Sequence, residues 1–319
     1  MRALITGAAG FAGSHLVDYL VAHTDWEIYA FVWEKESLEN LSPGDRVHLL
    51  RGDICREESI RQAVVQAQPD YIFHLAALAS GLAAWNNPAE TIVTNILGQI
   101  NLLQAVIQAN LRPCILIVGS ADEYGLVTAE DLPVRETTPL RPNNPYAVSK
   151  IAQDMLGYQY FLSHKLPIVR VRPFNHIGPR QRESFVVAAF AKQIAAAEAG
   201  KREPIVRVGN LDPQRDFSDV RDIVRGYFLA ITAGELGEEY NMASERARSI
   251  RSVLEELLAM SHLPLRVETD PALFRISDMP VLVGDCRKFR ERTGWRAEIP
   301  FSQSLRDTLD YWRQRVKTT

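Results

Sequence analysis

The arrangement of apolar segments constrains the fold of this chain more than any other feature. Up to about residue 175, short apolar runs alternate with longer amphipathic ones. The short runs are RALIT, EIYAFV, RVHLLRGD, YIFHLAA, CILIVGS and PIVRVRPFN. This pattern predicts strands separated by helices. Because such strands are joined by right-handed crossovers, we predict an α/β fold with a Rossmann-type, doubly wound parallel sheet.

The rhythm changes after Asn175, where loops, short helices and several prolines replace the regular alternation. We therefore predict a larger domain over residues 1–175 and a smaller C-terminal α/β region over residues 176–319. The second region should cover the carboxyl edge of the sheet and bind the substrate. Some of its chain is expected to cross back to the first domain.

Bulk composition excludes several classes of protein. A formal net charge of -3 gives no broad attraction to nucleic acid or to an anionic membrane. The sequence has no apolar run of about 18 residues, so we expect no transmembrane helix. No long apolar run precedes its first glycines, so we expect no signal peptide there. The three cysteines share no metal-like spacing, and an odd number argues against a disulfide framework. We expect a cytoplasmic protein without a bound metal.

The segment ITGAAGFAGSHL places Gly7, Gly10 and Gly13 between the first predicted strand and the first helix. Glycines allow a tight turn, and the amides of a helix N-terminus attract a pyrophosphate. A plain strand-to-helix turn is the alternative. The position after an apolar strand and before an amphipathic helix favours dinucleotide binding.

The end of the second predicted strand indicates which dinucleotide binds. A carboxylate there would hold a ribose 2′-hydroxyl and repel a 2′-phosphate. This chain has Val32 and then Trp33, with Glu34 and Lys35 after them. Lys35 can pair with a phosphate, whereas Glu34 would oppose it if it points inward. We therefore favour NADP(H) over NAD(H).

Two further segments should border the cofactor. Asp53 follows the third strand, where it can contact adenine or instead cap the next helix. The fourth strand ends in Leu75, Ala76 and Ala77, whose side chains are small enough to lie beside the cofactor. His74, inside that apolar strand, is expected to be a core histidine rather than a catalyst.

Tyr146 and Lys150 are four residues apart at the start of a predicted helix, so they share one face. A phenol has a pKa of about 10, too high for efficient proton transfer near neutrality. The Lys150 ammonium and an oxidised nicotinamide are both expected to lower that pKa. Ser120, after the fifth strand, would hydrogen-bond the substrate oxygen. The three residues predict proton transfer beside a hydride carrier.

The segments TGAAGFAG, HLAA, TNILG, GSADEYG, PYAVSK and RPFNHIGP, in this order, resemble the extended short-chain dehydrogenase/reductase family. The resemblance covers residues 4 to about 180. It implies an NAD(P)-binding first domain and a homodimer formed through helices near residues 88–110 and 145–163. It also implies cofactor contacts at Phe11, Ile54, Asn95, Tyr146, Lys150, Pro173 and His176.

Segments of the C-terminal half, including VGNLDPQRDFSDVRDIV and TGWRAEIPFSQSL, resemble the branch of that family that acts on GDP-linked 6-deoxyhexoses. The implied GDP-sugar contacts are Glu123, Asn175, Val186, Lys192, Arg215, Arg275 and Asp278. One departure is Ile276, which stands where the branch usually has proline. A surface ion pair is the alternative role for each charged residue, and Lys192 is the weakest candidate.

Asp122 distinguishes the two activities of this branch. Its dehydratases use a glutamate two residues before the tyrosine of YG to remove the C5 proton, and this chain has Asp122 there. Aspartate is one methylene shorter, and proton transfer needs heavy atoms about 2.6–3.2 Å apart. Ser120 also replaces the usual threonine. We therefore predict a 4-keto reductase, in which Asp122 is a spectator or an orienting group. A 4,6-dehydratase, another nucleotide-sugar epimerase or reductase, and an inactive binding protein are the alternatives.

Overall fold

A seven-stranded parallel sheet forms the centre of the molecule, as the alternating pattern predicted. The structure is a computed structural model that describes residues 1–42, 44–79, 81–274 and 279–318. The strands of this sheet are β1 (Arg2–Thr6), β2 (Glu27–Val32), β3 (Val47–Arg51), β4 (Tyr71–His74), β5 (Cys114–Val118), β6 (Ile168–Pro173) and β10 (Glu239–Met242). Their order across the sheet is β10-β6-β5-β4-β1-β2-β3.

Helices cover both faces of this sheet, which confirms the doubly wound architecture. Those that connect or flank its strands are α1 (Phe11–His23), α2 (Glu57–Ala67), α3 (Gly81–Asn86), α4 (Pro88–Ile92), α5 (Gly98–Gln108), α6 (Pro145–His164), α8 (Val220–Ala233) and α10 (Arg287–Thr293). Helices α1 and α8 pack together in the core on one face, whereas α2 and α5 pack in the core on the other. Among the described helices, none is long and apolar enough to cross a membrane.

The long helix expected near residues 88–110 is interrupted. A π-helical turn over Val93–Leu97 separates α4 from α5. Such turns insert an extra residue into a helix and occur frequently at functional sites. This one contains the buried Asn95.

The sheet order creates a binding crevice at its carboxyl edge. Strand β1 pairs with β2 on one side and with β4 on the other, so the chain reverses direction across the sheet at β1. Ligands of open α/β sheets bind at such a switch point, outside the carboxyl ends of the strands. The turns after Thr6, His74 and Val118 all open at this edge.

The C-terminal half forms a second core around three helices: α7 (Val186–Glu198), α9 (Ile250–Ala259) and α11 (Phe301–Thr318). Two small sheets accompany them, built from β7 (Asn175–Ile177), β8 (Ile205–Val208), β9 (Gln214–Asp219), β11 (Ala247–Ser249), β12 (Arg266–Thr269) and β13 (Val281–Leu282). Strand β10 returns to the large sheet, where it pairs with β6. The division at residue 175 stays a prediction.

Candidate active site

The glycine turn after β1 has the form that a dinucleotide pyrophosphate requires. Gly7 has φ +71°, and a Cβ on Gly13 would lie 2.2 Å from the Gly7 carbonyl oxygen. Helix α1 begins after Gly10 without a side-chain cap and without an acidic residue in its first turn. Its amides therefore face the crevice uncapped by any side chain, and the helix dipole favours an anion there. The residues present fit a dinucleotide cofactor.

The segment after β2 is exposed and carries both signs of charge. The Lys35 ammonium lies 5.6 Å from the centre of the Trp33 ring. Glu34, the residue expected to repel a phosphate, has a carboxylate oxygen 3.7 Å from Nη1 of Arg56. Lys35 is exposed, and its role as the partner of a 2′-phosphate stays a prediction.

The other residues predicted to contact the cofactor differ in their burial and in their contacts. Asp53 accepts a hydrogen bond from the Cys55 amide in a turn, and α2 begins only at Glu57, so Asp53 does not cap that helix. Leu75, Ala76 and Ala77 are half-buried after β4, as a crevice wall requires. Ile54 and Pro173 are buried, and the rings of Phe11 and His176 stack with centres 5.6 Å apart.

Ser120, Asp122 and Tyr146 come together at the carboxyl end of β5. The Ser120 hydroxyl accepts a hydrogen bond from the Asp122 amide at 3.1 Å, which caps the 3-10 turn over Ala121–Tyr124. A hydrogen bond also links the Ser120 side chain to Tyr146, and the Asp122 charge acts on the same phenol. The structure thus juxtaposes the hydroxyl, the phenol and one carboxylate.

The predicted lowering of the Tyr146 pKa is wrong for the protein alone. Burial, then the Asp122 charge, raises the pKa of Tyr146, and the bond to Ser120 opposes this only in part. The Lys150 ammonium, 5.9 Å from the ring centre, donates instead to the Val118 carbonyl and to Gln153. Tyr146 therefore keeps its proton at neutral pH, which is the form that a general acid needs.

Glu123 and Asn95 have interior positions. The Glu123 side chain has no exposed surface, and its carboxylate accepts a hydrogen bond from the Ser120 amide at 2.8 Å. Burial, and secondarily the charge of Asp154, raise the pKa of Glu123 to about 8. Asn95 accepts from the Leu78 amide and donates to Ser149. Both side chains are buried and hydrogen-bonded within the protein, and their direct contacts with substrate and cofactor stay predictions.

The residues predicted to bind the GDP-sugar are spread over the C-terminal region. Asn175 is exposed in β7, and Val186 opens α7 half-buried. Lys192 forms an ion pair with Glu183, which is the alternative role considered for it. Arg215 donates to the Met279 carbonyl at 2.7 Å, beside β13. Arg275 and Asp278 lie outside the described residues.

Motifs did not reveal the polar interior beneath the site. Arg172 in β6 contacts Asp154 of α6 with nitrogen–oxygen distances of 3.0 and 2.5 Å, and its Nε lies 3.1 Å from Glu123. Gln153, one helical turn after Lys150, accepts from the lysine. Only its spacing of three residues from Lys150 hinted at this contact.

Comparison with known proteins agrees with this geometry. The sequence profile of the family described as GDP-mannose 4,6 dehydratase matches residues 4–308. A GDP-6-deoxy-D-mannose reductase of Pseudomonas aeruginosa is 36% identical over 99% of this chain and 98% of its own. A GDP-mannose 4,6-dehydratase of Sinorhizobium fredii is 26% identical over 98% of this chain and 97% of its own.

A solved structure of RMD from Pseudomonas aeruginosa, complexed with NADPH, is also similar. It superposes with a TM-score of 0.87 and 35% identity, covering 99% of this chain and 100% of that one. The profile covers nearly the whole chain, and the fold and the tyrosine–lysine site agree with it. This chain therefore belongs to the GDP-mannose 4,6-dehydratase family of extended short-chain dehydrogenases/reductases.

Proposed function

We propose that this protein reduces the C4 ketone of GDP-6-deoxy-4-keto-D-mannose to GDP-D-rhamnose. The proposal rests on which proton-donating and proton-accepting side chains lie at the site. Tyr146 is a protonated acid, and Glu123, the second carboxylate of the turn, is buried away from the crevice. That leaves the short Asp122 as the carboxylate of this turn beside the acid. Such a site can protonate an alkoxide but is poorly equipped to remove a C5 proton.

We assign roles to the residues of the chain accordingly. NADPH, when bound, supplies the hydride that reaches C4. Tyr146 donates its proton to the sugar oxygen, and the Ser120 hydroxyl holds that oxygen by a hydrogen bond. Lys150 carries positive charge beneath the phenol and holds the cofactor ribose. Asp122 orients neighbouring groups, while Asn175, Val186 and Arg215 contact the GDP-sugar.

Two incubations test the proposal against the alternative of a 4,6-dehydratase. The protein with GDP-6-deoxy-4-keto-D-mannose and NADPH should oxidise one NADPH for each ketone consumed. The protein with GDP-mannose and NADP+ alone should form no 4-keto-6-deoxy product. Formation of that product would establish the dehydratase, and inactivity in both incubations would favour a binding protein.

A charge reversal at Lys35 tests the proposed preference for NADP(H). The expected result for Lys35→Glu is NADPH binding weaker by roughly tenfold or more, because a hydrogen bond to a charged group contributes about 1.5–3 kcal/mol. NADH binding should change little, since NADH has no 2′-phosphate. Fluorescence titration measures both affinities, with Lys165→Glu as a control at an exposed lysine after α6. Equal losses for NADH and NADPH would contradict the assignment of Lys35.

We also propose that the protein is a homodimer in a reducing cytoplasm. Val148, Met155 and Leu162 are exposed on α6 at intervals of seven residues, and Val93 and Leu97 are exposed on the neighbouring π-helical turn. Apolar residues repeated on one helix face suit helix–helix packing between two copies.

A charged residue in this face should separate the two copies. Met155→Glu is expected to convert the dimer to a monomer, because the glutamate would be desolvated at the interface. Sedimentation velocity measures the change. Val267→Glu provides a control at a similarly exposed valine on β12. A monomeric parent protein, or a dimer that survives Met155→Glu, would contradict the proposed interface.

A further inference from the structure

A continuous chain of buried hydrogen bonds runs from Lys150 to the glycine turn. The Lys150 ammonium donates to Oε1 of Gln153 at 2.9 Å. Nε2 of Gln153 lies 3.3 Å from Nε2 of His74, and Nδ1 of His74 lies 2.9 Å from the Thr6 hydroxyl. These four side chains are at most 5% exposed. The chain crosses from α6 over the end of β4 to the end of β1.

The donors and acceptors in these side chains allow only one donor-to-acceptor direction along the series of hydrogen bonds. Lysine only donates, so it fixes the oxygen of the Gln153 amide toward itself and the nitrogen toward His74. An amide nitrogen only donates, so Nε2 of His74 must accept and its proton must sit on Nδ1. Burial, and then the charge of Lys150, lower the pKa of His74 to about 3, which keeps the ring neutral and able to accept.

The far end of the chain lies in the cofactor crevice. Thr6 directly precedes Gly7 of the glycine turn. Its hydroxyl also accepts a hydrogen bond from the Ala76 amide at 3.2 Å. The hydrogen bonds of His74 therefore connect Lys150 with the end of β1 and, through Thr6, with the segment after β4. Core packing alone does not require these contacts.

We propose that Gln153 and His74 are positioning residues that hold the Lys150 ammonium in place and keep it charged. The significance of this for catalysis rests on the proposed function, in which Lys150 acts beneath Tyr146. His74 fixes the Gln153 amide, and Gln153 presents its oxygen to the ammonium. Neither residue touches the reacting atoms.

Several groups face Lys150 and affect its pKa, to which the hydrogen bond with Gln153 also contributes. Burial lowers the pKa of Lys150 to about 8, and the charge of Glu123 in the 3-10 turn raises it. Tyr146 on the same helix and His74 on β4 both face it as neutral groups. A hydrogen bond from the ammonium to an amide oxygen favours the charged form. Loss of that acceptor should therefore release the proton at lower pH.

NMR titration of protein labelled at the lysine ε-carbons tests the proposal without any assay of activity. The Lys150 signal is assigned by its loss in Lys150→Met. The pKa of Lys150 should fall by about one pH unit in Gln153→Leu, because an acceptor of the charged form is lost. It should rise in Gln153→Glu, which places a negative charge at nearly the same position. His74→Leu should lower it, since the amide loses the partner that fixes its orientation.

Opposite shifts in Gln153→Leu and Gln153→Glu would distinguish this role from a structural one, and Gln153→Glu keeps the test open if Gln153→Leu does not fold. Gln159→Leu, at an exposed glutamine of the same helix, should leave the titration unchanged. A Lys150 pKa that is the same in both Gln153 variants and in the parent protein would overturn the proposal. Because the titration needs no substrate, its outcome is independent of whether the reductase assay succeeds.

Discussion

Replacement of Tyr146 by phenylalanine should lower kcat by ~10²–10⁴-fold, which is what a positioned general acid typically contributes. The phenol is buried, is linked to Ser120 and keeps its proton because its pKa is raised. Phenylalanine retains the ring and removes only the hydroxyl, so the fold should be preserved and the affinity for NADPH should fall far less than kcat. Stopped-flow or steady-state oxidation of NADPH measures the rate, and fluorescence titration measures the affinity.

Tyr158→Phe is a matched control for this change. Tyr158 lies on the same helix, is exposed, and contacts the Arg170 guanidinium through its ring, with 4.9 Å from ring centre to guanidinium carbon. Phenylalanine keeps that contact, so the activity should not change. If Tyr146→Phe retained more than about a tenth of the parent rate, Tyr146 would not be the acid.

The second large effect is on stability. Arg172→Leu should reduce the free energy of unfolding by about 3–5 kcal/mol, because buried Glu123 loses the cation that it contacts and buried Asp154 keeps only Arg170. Arg172 is almost fully buried and contacts both Asp154 and Glu123. Urea denaturation followed by circular dichroism measures the loss.

Two further variants separate the charge from the packing. Arg172→Lys keeps a positive charge near Asp154 and Glu123 and should recover part of the stability that Arg172→Leu loses. Arg61→Met breaks an exposed ion pair with Glu58 and should leave the midpoint of unfolding unchanged. A single Arg172 variant as stable as the parent would contradict the proposed role of this cluster.

The pattern of the sequence predicted most of the large sheet because six of its strands are apolar runs flanked by helices. The seventh, β10, is the short segment Glu239–Met242, and its place beside β6 depends on tertiary packing. No sequence pattern indicates the π-helical interruption at Val93–Leu97 either, because its residues continue the helical pattern. Local patterns do not record pairings made by residues far apart in the chain.

The candidate site likewise combines local features, which the sequence predicts, with features that depend on tertiary structure. The glycine turn and the tyrosine–lysine pair are local features, so residue spacing alone can predict the turn at Gly7 and the proximity of Lys150 to the Tyr146 ring. The direction of Glu123 and the pKa of Tyr146 depend on burial, which no motif reports. His74 was expected to be a core histidine, and only its contacts with Thr6 and Gln153 revealed its connection to Lys150.

The position of a transferred deuterium tests the central claim most directly. The protein is incubated with GDP-6-deoxy-4-keto-D-mannose and NADPH that carries deuterium at the transferred position, and the sugar is examined by NMR. A C4 reductase places the deuterium on C4 of the product and leaves C6 unlabelled. Deuterium at C6, or a consumed ketone without deuterium at C4, would contradict the account of this protein as a 4-keto reductase.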